Sequence, residues 1–324
     1  MQATDNEKMI YGSNVNVLKR TKDFNVYEVK NGTGRGIMTS YQVLDGIQVI
    51  YNDIRMQTVS IDLGLPKEGY FEINHCREGR IECEFNNEYL YMSKDDFSIN
   101  RKDSSCDKSY FPVSHYYGIS IFFDIDKAQK EIERYLSSSK IKLEKLFEKL
   151  CNKSGFMIMK ANESIGHIFA ELYSIPEKIK MEYFKLKVLE VILFLSALEE
   201  DKKEKRSYYT RKQVNKIKAI EKHITKDFQK RYTLKELSIE YDIALTTMKK
   251  CFKGVYGKSI YSYIREQRMK KAADMLISTD DTILRIANMV GYENGSKFAS
   301  AFKAVIGLSP KEFREHKEMM SDWS

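Results

Sequence analysis

Apolar and polar residues alternate along the first third of the chain, in short runs separated by glycine and aspartate. In the stretch FEINHCREGRIECEF the apolar positions of the alternation are Phe71, Ile73, His75, Ile81 and Phe85. A period of two is typical of strands with one buried and one wet face. The Glu78-Gly79 pair predicts a hairpin turn between two such strands. Similar runs between about Tyr11 and Asp126 predict a small β-rich barrel or sandwich.

A helical period replaces this alternation from residue 127 to about 200. Apolar residues recur there at spacings of three and four, which predicts amphipathic helices. The run from Leu186 to Leu198 is apolar on more than one side, so it requires a domain core or a partner chain. We therefore expect this region to form a homodimer. The charge-dense stretch EEDKKEKRSYYTRKQ follows and predicts an exposed linker.

The last third of the chain contains one pattern twice. Leu237 matches Ile286 at a separation of 49 residues, and Phe252 matches Phe302 at a separation of 50. Each copy predicts a short helix, a tight turn and a longer helix, which we call the reader helix. Between the copies, a helix of about 18 residues starting after Ser259 would be roughly 27 Å long. Such a rod could hold the two reader helices about one DNA turn apart, roughly 34 Å.

The net charge of +8 is concentrated in the same third of the chain. Residues 207–324 contain 23 Lys and Arg against 14 Asp and Glu, a net charge of +9, whereas residues 1–206 contain 31 against 32, a net charge of −1. This asymmetry predicts a polyanionic partner for the last third. The alternative is an ordinary solvated basic face.

The N-terminal residues MQATDNEKMIYG contain no basic-then-apolar signal pattern, and no apolar run reaches membrane-spanning length. The five cysteines are odd in number, scattered and never in a C-x-x-C pair; they are Cys76, Cys83, Cys106, Cys151 and Cys251. We therefore expect reduced thiols in the cytoplasm, with no disulfide framework, structural zinc site or cofactor.

From about Lys212 to Lys317 the chain resembles the DNA-binding domain of the AraC/XylS family of bacterial transcription regulators. The motifs that carry the resemblance are LKELSIEYDIALTTMKKCFK, FKGVYGKSIYSYIREQRMKKAADML and ILRIANMVGYENGSKFASAFKAVIGLSPKEFR. The sequence departs from the family at Ala244, where a hydroxyl residue is usual, and at Tyr292, where phenylalanine is commoner. The resemblance implies an all-α domain with two helix-turn-helix units joined by a long helix.

By position in these motifs, the resemblance also implies which residues face DNA. They are Thr246, Thr247, Lys249, Lys250 and Lys253 in the first unit and Asn294, Gly295, Ser296, Lys297, Ala299, Ser300 and Lys303 in the second. Thr247 and Lys253 are expected nearer the phosphates, and Asn294 can cap the second reader helix. Small residues bring the backbone close to DNA, while lysines supply phosphate attraction or guanine contacts.

The resemblance further implies a small organic effector in the N-terminal domain, near Phe71, Ile73, His75, Ile81 and Phe85. The alternative interpretation is that these residues only fill the core. A rival hypothesis from another class is a cupin-like small-molecule-binding protein or enzyme. His75 and Cys76 are suitable metal ligands, but neighbours in a strand point to opposite faces, and none of the five histidines has H-x-H spacing. We therefore expect neither a metal site nor enzymatic activity.

These patterns together predict an α+β chain in three parts. Residues 1–126 form the β-rich regulatory and effector domain, 127–206 the helical dimerisation region and linker, and 207–324 the double helix-turn-helix DNA-binding domain. The expected function is a cytoplasmic, homodimeric, sequence-specific transcription regulator, either activator or repressor. Its expected partners are double-stranded DNA, a small organic effector and RNA polymerase.

Overall fold

The fold combines an N-terminal β half-barrel with a C-terminal helical unit. The computed structural model describes residues 2–12, 14–60, 69–85, 88–101, 108–151, 155–198 and 208–315. The chain divides into two compact units, Met1–Tyr208 and Tyr209–Ser324. The sequence pattern assigns the helices of residues 127–206 to a separate region. In the structure these helices share one hydrophobic core with the strands of the first unit.

The first unit begins with helix α1 (Asp5–Tyr11), which is followed by antiparallel strands. The strands are β1 (Val15–Arg20), β2 (Phe24–Asn31), β3 (Gly34–Leu44), β4 (Ile47–Arg55), β5 (Thr58–Ser60), β6 (Tyr70–Phe85), β7 (Glu88–Ser93), β8 (Asp96–Arg101), β9 (Lys108–Tyr110), β10 (Tyr116–Asp124) and β11 (Phe156–Lys160). The larger sheet has the order β1-β2-β3-β4-β10-β6-β8-β11. The smaller sheet has the order β5-β9-β6-β7, so β6 belongs to both.

Strand β6 runs without interruption from Tyr70 to Phe85, so the predicted hairpin turn at Glu78-Gly79 is wrong. Its pairing with β10 shifts register between Tyr117 and Gly118, which marks a β-bulge. Gly79 has φ +84°, and a Cβ there would lie 2.0 Å from the carbonyl oxygen of His115. A glycine with positive φ suits a turn or a bulge; here it bends the strand from the larger sheet into the smaller one.

The two faces of the larger sheet are buried by different partners. Phe71 and Ile73 pack with the helices that follow the strands, whereas Cys76 packs in a second core on the opposite face. These helices are α2 (Ile125–Tyr135), α3 (Leu143–Cys151), α4 (Glu163–Leu172) and α5 (Lys180–Ser196), with 3₁₀ turns at Ser137–Ser139 and Glu177–Ile179. The second core lies inside the half-barrel, where α1 also contributes side chains.

The second unit starts with a short extended segment, β12 (Tyr209–Thr210), and is otherwise helical. Its helices are α6 (Arg211–Lys226), α7 (Leu234–Glu240), α8 (Leu245–Tyr256), α9 (Ile260–Ser278), α10 (Ile283–Met289), α11 (Gly295–Ile306) and α12 (Pro310–Glu315). The last residues of the predicted linker therefore belong to this unit, because Thr210 and Gln213 form a capping box that begins α6.

No helix in the described part of the chain is long and apolar enough to cross a membrane.

Candidate functional site

Helix α8 is oriented by a stripe of buried residues at helical spacing. Met248, Cys251, Phe252 and Val255 are all almost completely buried. The opposite face is polar and basic, as the sequence predicts: Thr246, Lys249, Lys250 and Lys253 are exposed, and Thr247 is half-buried. Packing of the apolar stripe thus fixes which side of α8 points to solvent.

Helix α11 repeats this arrangement with smaller side chains. Its anchors are Phe298 and Phe302, whose ring centroids are 5.7 Å apart, and Phe302 also contacts Phe313 of α12. The sequence-predicted positions of this helix are exposed or half-buried: Asn294, Ser296, Lys297, Ser300 and Lys303 are exposed, and Gly295 and Ala299 are half-buried. The open face of α11 therefore carries less charge than that of α8 and brings its backbone closer to the surface.

The two reader helices begin differently. The side chain of Asn294 accepts a hydrogen bond from the Lys297 amide at 2.9 Å, so its carbonyl oxygen already serves as the cap of α11. Ala244 offers α8 no such bond. Both helices end at a left-handed glycine, Gly257 and Gly307. The first amide groups of α8 are therefore the ones that an external acceptor, such as a phosphate, could bind.

Some basic residues of the second unit are paired with carboxylates. Glu266 of α9 pairs with Lys258 and Lys270, and Asp281 pairs with Arg285. Within the described residues, no ion pair involves the lysines of the reader helices, which are Lys249, Lys250, Lys253, Lys297 and Lys303. Their positive charges are thus directed to solvent, where a polyanion could approach them.

Tyr209 adds a contact that the sequence analysis missed. A Cβ at Gly254 would lie 2.2 Å from the Tyr209 hydroxyl oxygen, so only glycine lets this ring lie across α8. The available signal was the capping box at Thr210, which shows that structure resumes before the end of the charged stretch.

The predicted effector residues of the N-terminal unit do not all come together. Phe71, Ile73 and His75 face the helical layer; the His75 ring stacks on Phe169 with centroids 4.4 Å apart. His75 Nδ1 lies 3.2 Å from the Tyr173 hydroxyl, and burial lowers the pKa of His75 to about 4, so the ring is neutral at pH 7. The side chain of Phe85 is outside the described residues.

A cavity of about 220 Å³ lies on the other side of β6, inside the half-barrel. Of the four predicted residues whose side chains are described, Ile81 is the one that lines it. Its polar lining includes Glu72 and Asn74, which alternate with the predicted residues in the same strand. The sequence pattern identified the alternation but assigned these two residues to a solvent face.

Part of this chain is similar to known proteins. A family model described as a helix-turn-helix domain, HTH_18, matches residues 237–316. The regulator ExsA of Pseudomonas aeruginosa is 28% identical over 102 residues, which are 32% of this chain and 37% of ExsA. The transcriptional activator AggR of Escherichia coli is 28% identical over 124 residues, which are 38% of this chain and 46% of AggR.

An AraC-like transcription regulator of Streptomyces lividans is 30% identical over 94 residues, which are 29% of this chain and 31% of that protein. In each case the match covers less than half of the relative's length. Residues 237–316 are thus a helix-turn-helix domain of the AraC type.

Proposed function

We propose that the chain is a sequence-specific transcription regulator that binds duplex DNA through two helix-turn-helix units, α7 with α8 and α10 with α11. The observation that carries this proposal is the repeated geometry of the reader helices. Each buries an apolar stripe and directs an uncompensated polar or basic face to solvent. Helix α9 between them has 19 residues, so it is about 28 Å long, close to one turn of DNA.

The two open faces have different roles in this proposal. Thr246, Lys249 and Lys250 contact base edges, while Thr247 and Lys253 contact phosphates. In α11, Ser296, Lys297 and Ser300 contact bases, Lys303 contacts a phosphate, and Gly295 and Ala299 allow close approach of the backbone.

The test uses duplexes selected from a random library by the full chain. The double variant Lys250→Ala with Lys253→Ala is compared with Lys145→Ala with Lys178→Ala, which removes two exposed lysines from the first unit. Each lost phosphate contact makes the negative slope of log affinity against log salt shallower by about 0.9. We expect a shallower slope and weaker binding for the first pair only. Equal behaviour of the two pairs, or no selected sequence, would contradict the proposal.

We also propose that the chain is a homodimer and that α5 forms the interface. Helix α5 buries Val188, Ile192 and Leu195 against the rest of its unit, yet Leu186 and Leu193 are 62% and 41% exposed. These two leucines are seven residues apart and so lie on one side of the helix, which a second copy could cover symmetrically. Light scattering at tens of micromolar should give a dimer that Leu186→Glu dissociates. A monomer at that concentration would contradict the interface.

Regulation enters this proposal through the N-terminal cavity. We propose that a small organic effector occupies the cavity inside the half-barrel, with Ile81 as one of its walls. In this proposal the effector does not touch Phe71, Ile73 and His75, which pack against the helical layer on the opposite face of β6. Because its partner is DNA, we place the protein in the cytoplasm.

A further inference from the structure

A continuous row of polar side chains crosses four adjacent strands on the cavity side of the larger sheet. Asn52 of β4 donates from Nδ2 to Ser120 Oγ of β10 at 2.9 Å, and Ser120 donates to Asn74 Oδ1 of β6 at 2.6 Å. Asn74 Nδ2 in turn donates to Asn100 Oδ1 of β8 at 3.0 Å. Asn100 then donates to Glu72 Oε2 at 3.3 Å. We call these five residues the polar ladder; all of them line the cavity.

The other walls of the cavity are mainly apolar. Met38, Ile54, Phe111 and Tyr116 are at most 6% exposed and belong to the inner core of the half-barrel. Helix α1 contributes Tyr11, whose ring stacks on Tyr27 with centroids 4.1 Å apart. The polar ladder thus offers hydrogen bonds and these walls offer hydrocarbon, while Glu82 and Glu84 add two carboxylates to the lining. A mainly apolar wall with a few polar groups is the arrangement of a small-molecule site.

We propose that the cavity binds an uncharged organic molecule with an apolar body and a carboxamide-like group, which both donates and accepts hydrogen bonds. This inference rests on the proposed effector function of the N-terminal unit. A side-chain amide has two N–H donors and an oxygen with two lone pairs, and the ladder contacts described above use only part of that capacity. A carboxamide in the cavity could donate to one ladder amide and accept from the next.

Charged ligands fit the ladder less well. An anion would lie close to the Glu72 carboxylate. The one lining residue with a guanidinium, Arg101, holds that group 5.4 Å from the centre of the Phe71 ring, on the helical side, and pairs with Glu148. A cation would have to leave water for a row in which four of the five groups are neutral. Of the other two carboxylates in the lining, Glu82 and Glu84, the first already accepts a hydrogen bond from the Tyr91 hydroxyl at 2.6 Å.

The volume limits the size of the ligand. The cavity, at about 220 Å³, is smaller than the roughly 300–1,000 Å³ of sites that hold drug-sized molecules. A single ring with one polar substituent is therefore a suitable probe.

The experiment titrates the full chain with benzamide, benzoate and benzylammonium, which share a ring and differ in charge. Binding is followed by ligand-observed NMR up to about 10 mM. We expect benzamide to bind at least about tenfold more tightly than either ion. Asn74→Leu should weaken benzamide binding by about tenfold or more, and Asn52→Ala should also weaken it. Asn16→Leu, at an exposed strand position, should leave it unchanged.

Calorimetry of each variant shows whether it folds. If Asn74→Leu does not fold, benzamide binding by Asn52→Ala tests the inference. Tighter or equal binding of either ion overturns the inference, as does absence of benzamide binding. Equal benzamide binding by the wild type and the folded ladder variants overturns it too. Binding of the same protein samples to selected DNA is measured in parallel. A failure confined to benzamide therefore leaves the DNA-binding proposal intact.

Discussion

The substitution Gly295→Ala should change the stability of the second unit and its affinity for DNA in opposite directions. Gly295 is the first residue of α11, on the side that we propose faces DNA, and its φ lies outside the left-handed region. A Cβ built there would meet Leu284 Cδ1 at 3.7 Å, an ordinary van der Waals contact, with no closer atom among the described residues. The folded protein can therefore accept the methyl group without strain.

The magnitudes follow from these contacts. Replacing glycine by alanine at a compatible position stabilises a protein by about 0.4–1 kcal/mol, because the unfolded chain loses conformational freedom. The same methyl group occupies space that a closely approaching base edge needs. Loss of one base contact costs about 1–3 kcal/mol, which is roughly a 5- to 150-fold loss of affinity. Stability and DNA affinity are thus expected to change in opposite directions.

Differential scanning calorimetry and fluorescence anisotropy at fixed salt measure the two quantities. Gly307→Ala is the control, because Gly307 ends α11 with φ +93°. Alanine there should cost about 1–2 kcal/mol of stability, and the folded protein should keep its DNA affinity. If Gly295→Ala binds DNA as tightly as the wild type, α11 does not approach DNA at this residue. If it destabilises the unit, the packing argument is wrong.

Four further predictions follow from other sites. Lys250→Ala should relax base preference at one position by about 1–3 kcal/mol, whereas Lys253→Ala should weaken all sequences alike; competition binding to single-base variants distinguishes them. Ala244→Ser should supply the missing cap of α8 and raise the free energy of unfolding by about 0.5–2 kcal/mol in urea denaturation. Because the folded pKa of His75, about 4, is below its ordinary 6.5, the unfolded chain takes up the proton first. Stability should therefore fall as pH decreases from 6.5 to 4, and thermal unfolding of His75→Phe should lack this component. Gly79→Ala should prevent normal folding of the first unit, seen as loss of its calorimetric transition, because the new Cβ would overlap the His115 carbonyl oxygen.

The second unit could be predicted closely because its signals are local. The capping residues Thr233, Ser259 and Asn294 each accept a bond from an amide three residues ahead, as the sequence spacing indicates. The apolar stripe of each reader helix then determines which residues are exposed. Repetition of the pattern supports the assignment of both apolar stripes.

The first unit was harder to predict from the sequence, because the contacts that determine its structure join residues that are far apart in the chain. Gly79 is compatible with a turn and with a bulge, and the choice depends on the backbone of His115 in another part of the chain. Likewise, Asn74 looks like a solvent-facing residue when its own strand is considered alone. Only pairing with β8 and β10 shows that Asn100 and Ser120 hydrogen-bond to it inside the half-barrel.

The continuity of strand β6 should affect the exchange of its amide hydrogens, because this one segment belongs to both sheets of the half-barrel. Amides near Ile73 are bonded within the larger sheet, and those near Cys83 within the smaller one. Opening either sheet must release part of the same strand, so neither should open far without loosening the other. Amide hydrogens in the two halves of β6 are therefore expected to exchange with solvent in a single cooperative event.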